Sequence, residues 1–207
     1  MASRRLLVSG LLSVAGLCFL LLISSSASAA TLNVVGGQLL GASGVIVDGS
    51  SYNVAFLDGT CIALYSGCDD VSDFTFQTSA DAVLASQALL DQVFLDGANL
   101  FDTEPGLTNG CAPGVTLCGV FTPYNWDMGG MAYVRVAANY DAEVDDYVGS
   151  ASAIRDLSLA WYEVFTYAVW EPAPTVPSLS HRAAARLVAV LCGVGLVSLS
   201  TSHHREV

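Results

Sequence analysis

The 207-residue chain carries 19 acidic side chains against seven basic ones, a formal net charge of −12, and every basic residue is an arginine. Such a balance repels nucleic acid and anionic headgroups and attracts divalent cations or basic partners, so nucleic-acid binding is excluded. All three histidines, His181, His203 and His204, lie near the carboxyl end, which leaves the body of the chain without a histidine-based triad or a lysine nucleophile.

Arg4 and Arg5, the apolar run Leu6 to Ile23 and the small residues Ala27-Ser28-Ala29 have the form of an export signal, with cleavage expected after Ala29 or Ala30. An uncleaved span is the alternative for an apolar run near ~18 residues. The small-residue stretch Ser24 to Ala30 favours cleavage, and Leu17 is too large to precede a lipidated cysteine at Cys18. Removal of residues 1–29 leaves residues 30–171 as one secreted α+β domain, long enough for a sizeable core. Between Ala30 and Thr175, 18 acids face only Arg135 and Arg155, leaving a formal charge of −16.

Thr31 to Val35 and Gln38 to Val47 read as extended. Asp48-Gly49-Ser50-Ser51, followed by the alternation of Tyr52, Val54 and Phe56 with Asn53, Ala55 and Leu57, is a hairpin signal. A turn at Asp58-Gly59 leads into the loop Cys61 to Cys68 and a polar patch with Asp69, Asp70 and Asp73, after which Phe74 and Phe76 suggest one short strand. Ser79 to Leu95 is the clearest helix, with Thr78 as cap, Asp81 three residues on, an apolar side of Val83, Leu90, Val93 and Phe94, and Gly97 as stop. Asp96 to Gly119 is turn-rich. Met131 to Tyr140 and Leu157 to Trp170 read as further strands. This order predicts a small antiparallel sheet with one main helix laid on it. Pro172 to Pro177 reads as a stiff spacer before the carboxyl tail, residues 178–207.

Four cysteines lie in the domain, as two equally spaced pairs, Cys61-x6-Cys68 and Cys111-x6-Cys118. An export signal favours disulfides over zinc, and no histidine is at hand to complete a metal site. Three connectivities are open, of which the two local pairings are preferred because each closes a small loop containing glycine.

No pattern singles out catalytic residues, and the expectation is a non-enzymatic protein. Were there chemistry, paired carboxylates would be the route, as in glycoside hydrolysis, with Asp69, Asp70, Asp141, Glu143, Asp145 and Asp146 as candidates. Asp96, Asn99, Asp102 and Glu104 offer oxygen ligands for Ca2+ within one loop, but the D-x-[DN]-x-[DN]-G pattern is absent, and no cofactor is expected. Tyr124, Trp126, Trp161, Tyr162 and Trp170 have the chemistry to stack on sugars, although at strand spacing such residues more often pack within or on a sheet. A secreted carbohydrate-binding or carbohydrate-active module using these aromatics and carboxylates is therefore the second reading.

The tail runs from Val176-Pro177-Ser178-Leu179-Ser180 through His181, Arg182 and Arg186 into the apolar segment Leu187 to Leu199 and the basic end His203, His204 and Arg205. That order of proline-containing motif, apolar helix and basic end resembles the PEP-CTERM class of sorting signals handled by exosortases, with Val176-Pro177-Ser178 standing where that class usually has V-P-E-P. The run Tyr52 to Cys61, then Cys68, then Ala88 to Phe94, is similar to cargo domains found ahead of such tails. The resemblance implies an exported protein with signal peptidase and an exosortase-like enzyme as processing partners. It would be held transiently in the inner membrane, then delivered to the cell surface or extracellular matrix alongside exopolysaccharide. The apolar segment is shorter than the ~20 residues of a full span, which suits a temporary anchor; a permanent anchor is the alternative.

Overall fold

A computed structural model describes residues 29–142 and 144–174. The expected export signal up to Ser28, including Ala27, lies outside the described residues, as do Glu143 and the sorting motif Val176, Pro177, Ser178, Leu179 and Ser180; Ala29 and Ala30 open the described chain. Among the described residues no helix is long and apolar enough to cross a membrane.

Two glycines, Gly36 and Gly37, turn β1 (Thr31–Val35) into β2 (Gln38–Val47), and Asp48-Gly49 turns β2 into β3 (Ser50–Leu57). Asp48 at φ 46° and Gly49 at φ 76° are both left-handed, the geometry whose twist suits a two-residue hairpin. A short helix α1 (Cys61–Leu64) follows, its first turn closed by Thr60 Oγ1 accepting from Ala63 N–H at 3.1 Å. The main helix α2 (Ser79–Gln92) starts at Thr78, whose hydroxyl accepts from Asp81 N–H at 3.2 Å. Then come β4 (Leu117–Trp126), β5 (Met131–Tyr140), β6 (Tyr147–Ile154) and β7 (Phe165–Pro172).

The seven strands form one sheet in the order β1-β2-β3-β7-β4-β5-β6. The domain is α+β, but its sheet is mixed rather than antiparallel. The crossover 155–164 carries the chain from the β6 edge back to the middle, so β7 lies parallel to β4 over Phe165–Tyr167 while running antiparallel to β3. Beyond Tyr167 the two strands part. The Ala168 carbonyl accepts from Tyr65 Oη at 2.8 Å and the Trp170 carbonyl from Thr75 Oγ1 at 2.6 Å, so side chains replace the missing ladder.

Each face of the sheet is packed by a different segment. On one face α2 buries Ala82, Ala85, Ser86 and Leu89, a stripe of mostly small residues at helical spacing that lets the helix lie close to Val120 and Ala137. On the other face Tyr65, Phe74, Phe121, Val134, Leu159 and Tyr167 form a second core beneath α1 and the crossover.

Other departures from the sequence reading have local causes. Phe74 and Phe76 are not a strand; the segment passes the gap beside β7, sending Phe74 to one core and Phe76 to the other. The expected strand from Leu157 begins only at Phe165, because Ser158 caps a 3₁₀ turn, Leu159–Trp161, within the crossover. The turn-rich stretch gives way to β4 at Leu117. Helix α2 ends at Gln92, three residues early, and the Gln92 amide then binds both backbone groups of Ile46, donating at 2.8 Å and accepting at 2.9 Å, on the part of β2 that β1 does not reach. Pro172 closes β7 and Ala173 N–H donates to the Ser51 carbonyl, so the first two residues of the expected spacer belong to the sheet.

Candidate functional site

Both cysteine pairs are joined locally: Cys61 to Cys68, with Cα atoms 5.7 Å apart, and Cys111 to Cys118, with Cα atoms 5.9 Å apart. All four cysteines are buried. The first loop is a hub for the crossover. Arg155 Nη1 donates to the Cys68 carbonyl at 2.6 Å, Ile62 N–H donates to the Arg155 carbonyl, and Leu159 N–H to the Gly59 carbonyl. The second loop is fixed by Ala112 N–H on the Glu163 carbonyl. Beside it Gly110, at φ 91°, leaves no room for a side chain: a Cβ there would stand 2.4 Å from Thr166 Oγ1. These contacts make both loops structural fixtures rather than open sites.

Of the candidate acids, Asp70 and Asp146 are spent on the backbone. Asp70 accepts from Ser72 N–H at 2.8 Å and Asp73 from Asp69 N–H and Asp70 N–H at 3.0 and 3.1 Å, closing a 3₁₀ turn at Val71–Asp73. The Ser72 bonds hold the Asp70 carboxyl below its usual value. Asp146 accepts from Tyr140 N–H at 2.7 Å, yet burial, joined by the facing Asp102 and Asp145 carboxylates, raises its pKa. Of the calcium candidates, Asp96 uses both oxygens internally, accepting from Asp102 N–H, Thr103 N–H and Thr103 Oγ1 at 2.9–3.2 Å. Among the described residues no three His, Cys, Asp or Glu side chains are grouped to hold a metal ion.

The five aromatic candidates separate by exposure. Trp170 is buried, its indole N–H on Thr122 Oγ1 at 3.3 Å, and Tyr124 packs half-buried against the α2-side core. Trp126 lies under Arg155, whose guanidinium carbon is 5.2 Å from the ring centre. Trp161 and Tyr162, in the crossover, are 80% and 44% exposed.

The face away from α2 holds an open groove where β4, β5 and β6 lie beyond the crossover. Two clefts, of about 300 and 230 Å³, meet at Phe121 and Phe165. Strand register puts Gly119, Ala138, Gly149 and Ala151 on this face together with Phe121 and Val136, and the rings of Phe165 and Tyr147 lie over Gly119 and Gly149. Tyr140 and Tyr147 stand at one end with rings stacked at 5.9 Å, and a hydrogen bond to Tyr147 raises the Tyr140 pKa. Tyr162 stands at the other end, beside Leu157 and Leu159. Among the described residues no charged one lines either cleft.

Of this groove the sequence reading had singled out only Tyr162. Its floor escaped notice because glycine and alanine carry no chemistry of their own; the alternation Tyr147, Gly149, Ala151, Ala153 was the signal available. Compared with protein-family models, curated proteins and solved structures, the chain matches none.

Proposed function

We infer that this is an exported, surface- or matrix-associated protein with a binding or structural role rather than a catalytic one, sorted through its carboxyl-terminal tail. The observation that carries the reading is the pair of buried disulfides, Cys61–Cys68 and Cys111–Cys118, in a chain that opens with an export-type signal. Disulfides of this kind belong to oxidising compartments. The motif Val176-Pro177-Ser178-Leu179-Ser180, the apolar segment after it and the basic end supply the sorting element, with signal peptidase and an exosortase-like enzyme as the processing partners. The non-catalytic role is supported by the carboxylates, since Asp70, Asp73, Asp96 and Asp146 are committed to backbone donors.

Intact-mass measurement on protein recovered from the inner membrane, surface and medium of its host tests this reading. The expected extracellular species lacks residues 1–29 and the region beyond about Pro177, and its mass is four hydrogens below the reduced form, as two disulfides require. A membrane-bound species that retains Val207 with no extracellular counterpart would overturn sorting in favour of a permanent anchor.

A further inference from the structure

We propose that the groove across β4, β5 and β6 is a binding site for a short stretch of an uncharged glycan chain. Gly119 and Gly149 sit on the same face as Ala138 and Ala151, and the space left by their missing side chains is taken by the rings of Phe165 and Tyr147, with Phe121 and Val136 between them, so the groove is walled by aromatic rings. A ligand can lie along the strands between these rings, and from Tyr147 to Ile154 the strand rise gives it about 23 Å.

The walls select the chemistry. Tyr140 and Tyr147 at one end and Tyr162 at the other present ring faces with a hydroxyl at the tip, and Tyr147 is 53% exposed. Aromatic faces of this kind pack against the C–H face of a sugar ring, and their hydroxyls exchange hydrogen bonds with those of the sugar. Charge sets the remaining limit: the groove has no cation to pair with a carboxylate or sulfate, and the surrounding domain, at −16, repels polyanions. A basic peptide finds no carboxylate within the clefts. A neutral polymer rich in hydroxyls meets no mismatch.

This site is independent of the tail-sorting reading, which the mass measurement decides alone. The test is affinity electrophoresis of the native protein purified from its host, through gels containing dextran, mixed-linkage β-glucan, galactomannan or xylan, with alginate as the anionic comparison. The expected result is retardation by at least one neutral polymer and none by alginate. Ala151→Trp, which fills the floor, and Tyr147→Ala, on an exposed edge-strand position, are each expected to weaken retardation about tenfold. Trp161→Ala, outside the clefts, is expected to leave it unchanged. Circular dichroism establishes that each variant is folded, and Tyr147→Ala carries the test where Ala151→Trp is not. Failure of every neutral polymer to retard the protein, retardation by alginate, or undiminished binding by folded Tyr147→Ala would overturn the proposal.

Discussion

Asp146 serves two opposed demands. Its Oδ1 holds the Tyr140 amide at the end of β5, while burial and the facing Asp102 carboxylate penalise its charge. With its pKa raised in the fold, the folded state binds more protons than the unfolded chain between the ordinary value of 3.8 and the raised one. Stability therefore falls as pH rises through that window and is regained below it. Asp146→Asn keeps an acceptor for Tyr140 and removes the charge. It is expected to raise the thermal midpoint at pH 7, an advantage that closes as the pH approaches 3.8. Melting curves across this range check the sign; a variant less stable at pH 7 would mean that the carboxylate's hydrogen bond outweighs its repulsion. Asp127 behaves oppositely, because the Met131 amide and the Tyr133 hydroxyl hold its pKa low, and its contribution is lost as pH falls.

Among the elements, those written in short-range pattern were legible. The Asp48-Gly49 turn fixed the hairpin of β2 and β3, and Thr78 with Asp81 fixed the start of α2, because turn and cap chemistry act within four residues. Strands β4 and β6 were not read. Cys118, Val120 and Thr122 alternate with Gly119, Phe121 and Pro123, yet both sides are buried, so β4 shows no polar face to reveal its period. Gly149, Ser150, Ala151 and Ser152 leave β6 with hardly any hydrophobic contrast. In the crossover the apolar alternation Leu157, Leu159, Trp161 imitates a strand, but Leu159 is buried while Trp161 is 80% exposed. The cysteine spacing, by contrast, led directly to the two loops. Replacing both Cys111 and Cys118 by serine is expected to cost about 2.5 kcal/mol, from the entropy of an eight-residue loop. Urea unfolding of the double variant gives the value, and an unchanged midpoint would show that Ala112, Gly110 and their backbone contacts hold the loop unaided.

For the whole molecule, charge and connectivity set the behaviour. Both arginines of the domain are half-buried and turned onto internal partners, Arg135 onto Ser79 Oγ and Arg155 onto the Cys68 carbonyl and Trp126, so the charge left on the outer surface is almost wholly negative. The groove across β4, β5 and β6 carries none of that charge, which is why the glycan proposal rests there. The sheet order has a different effect. A chain synthesised from its amino end delivers β1–β3 early and β4–β6 later, but the strand that joins the two ribbons is the last of all. Until residues 165–172 arrive, neither Trp170 nor Tyr167 is present to fill either core. A chain ending at Val164 is thus expected to show no cooperative thermal transition, whereas one ending at Ala173 melts in a single step; a cooperative transition in the shorter chain would refute this. The domain is built like an arch whose keystone is set last: until residues 165–172 are in place, no strand joins the β1–β3 ribbon to the β4–β6 ribbon.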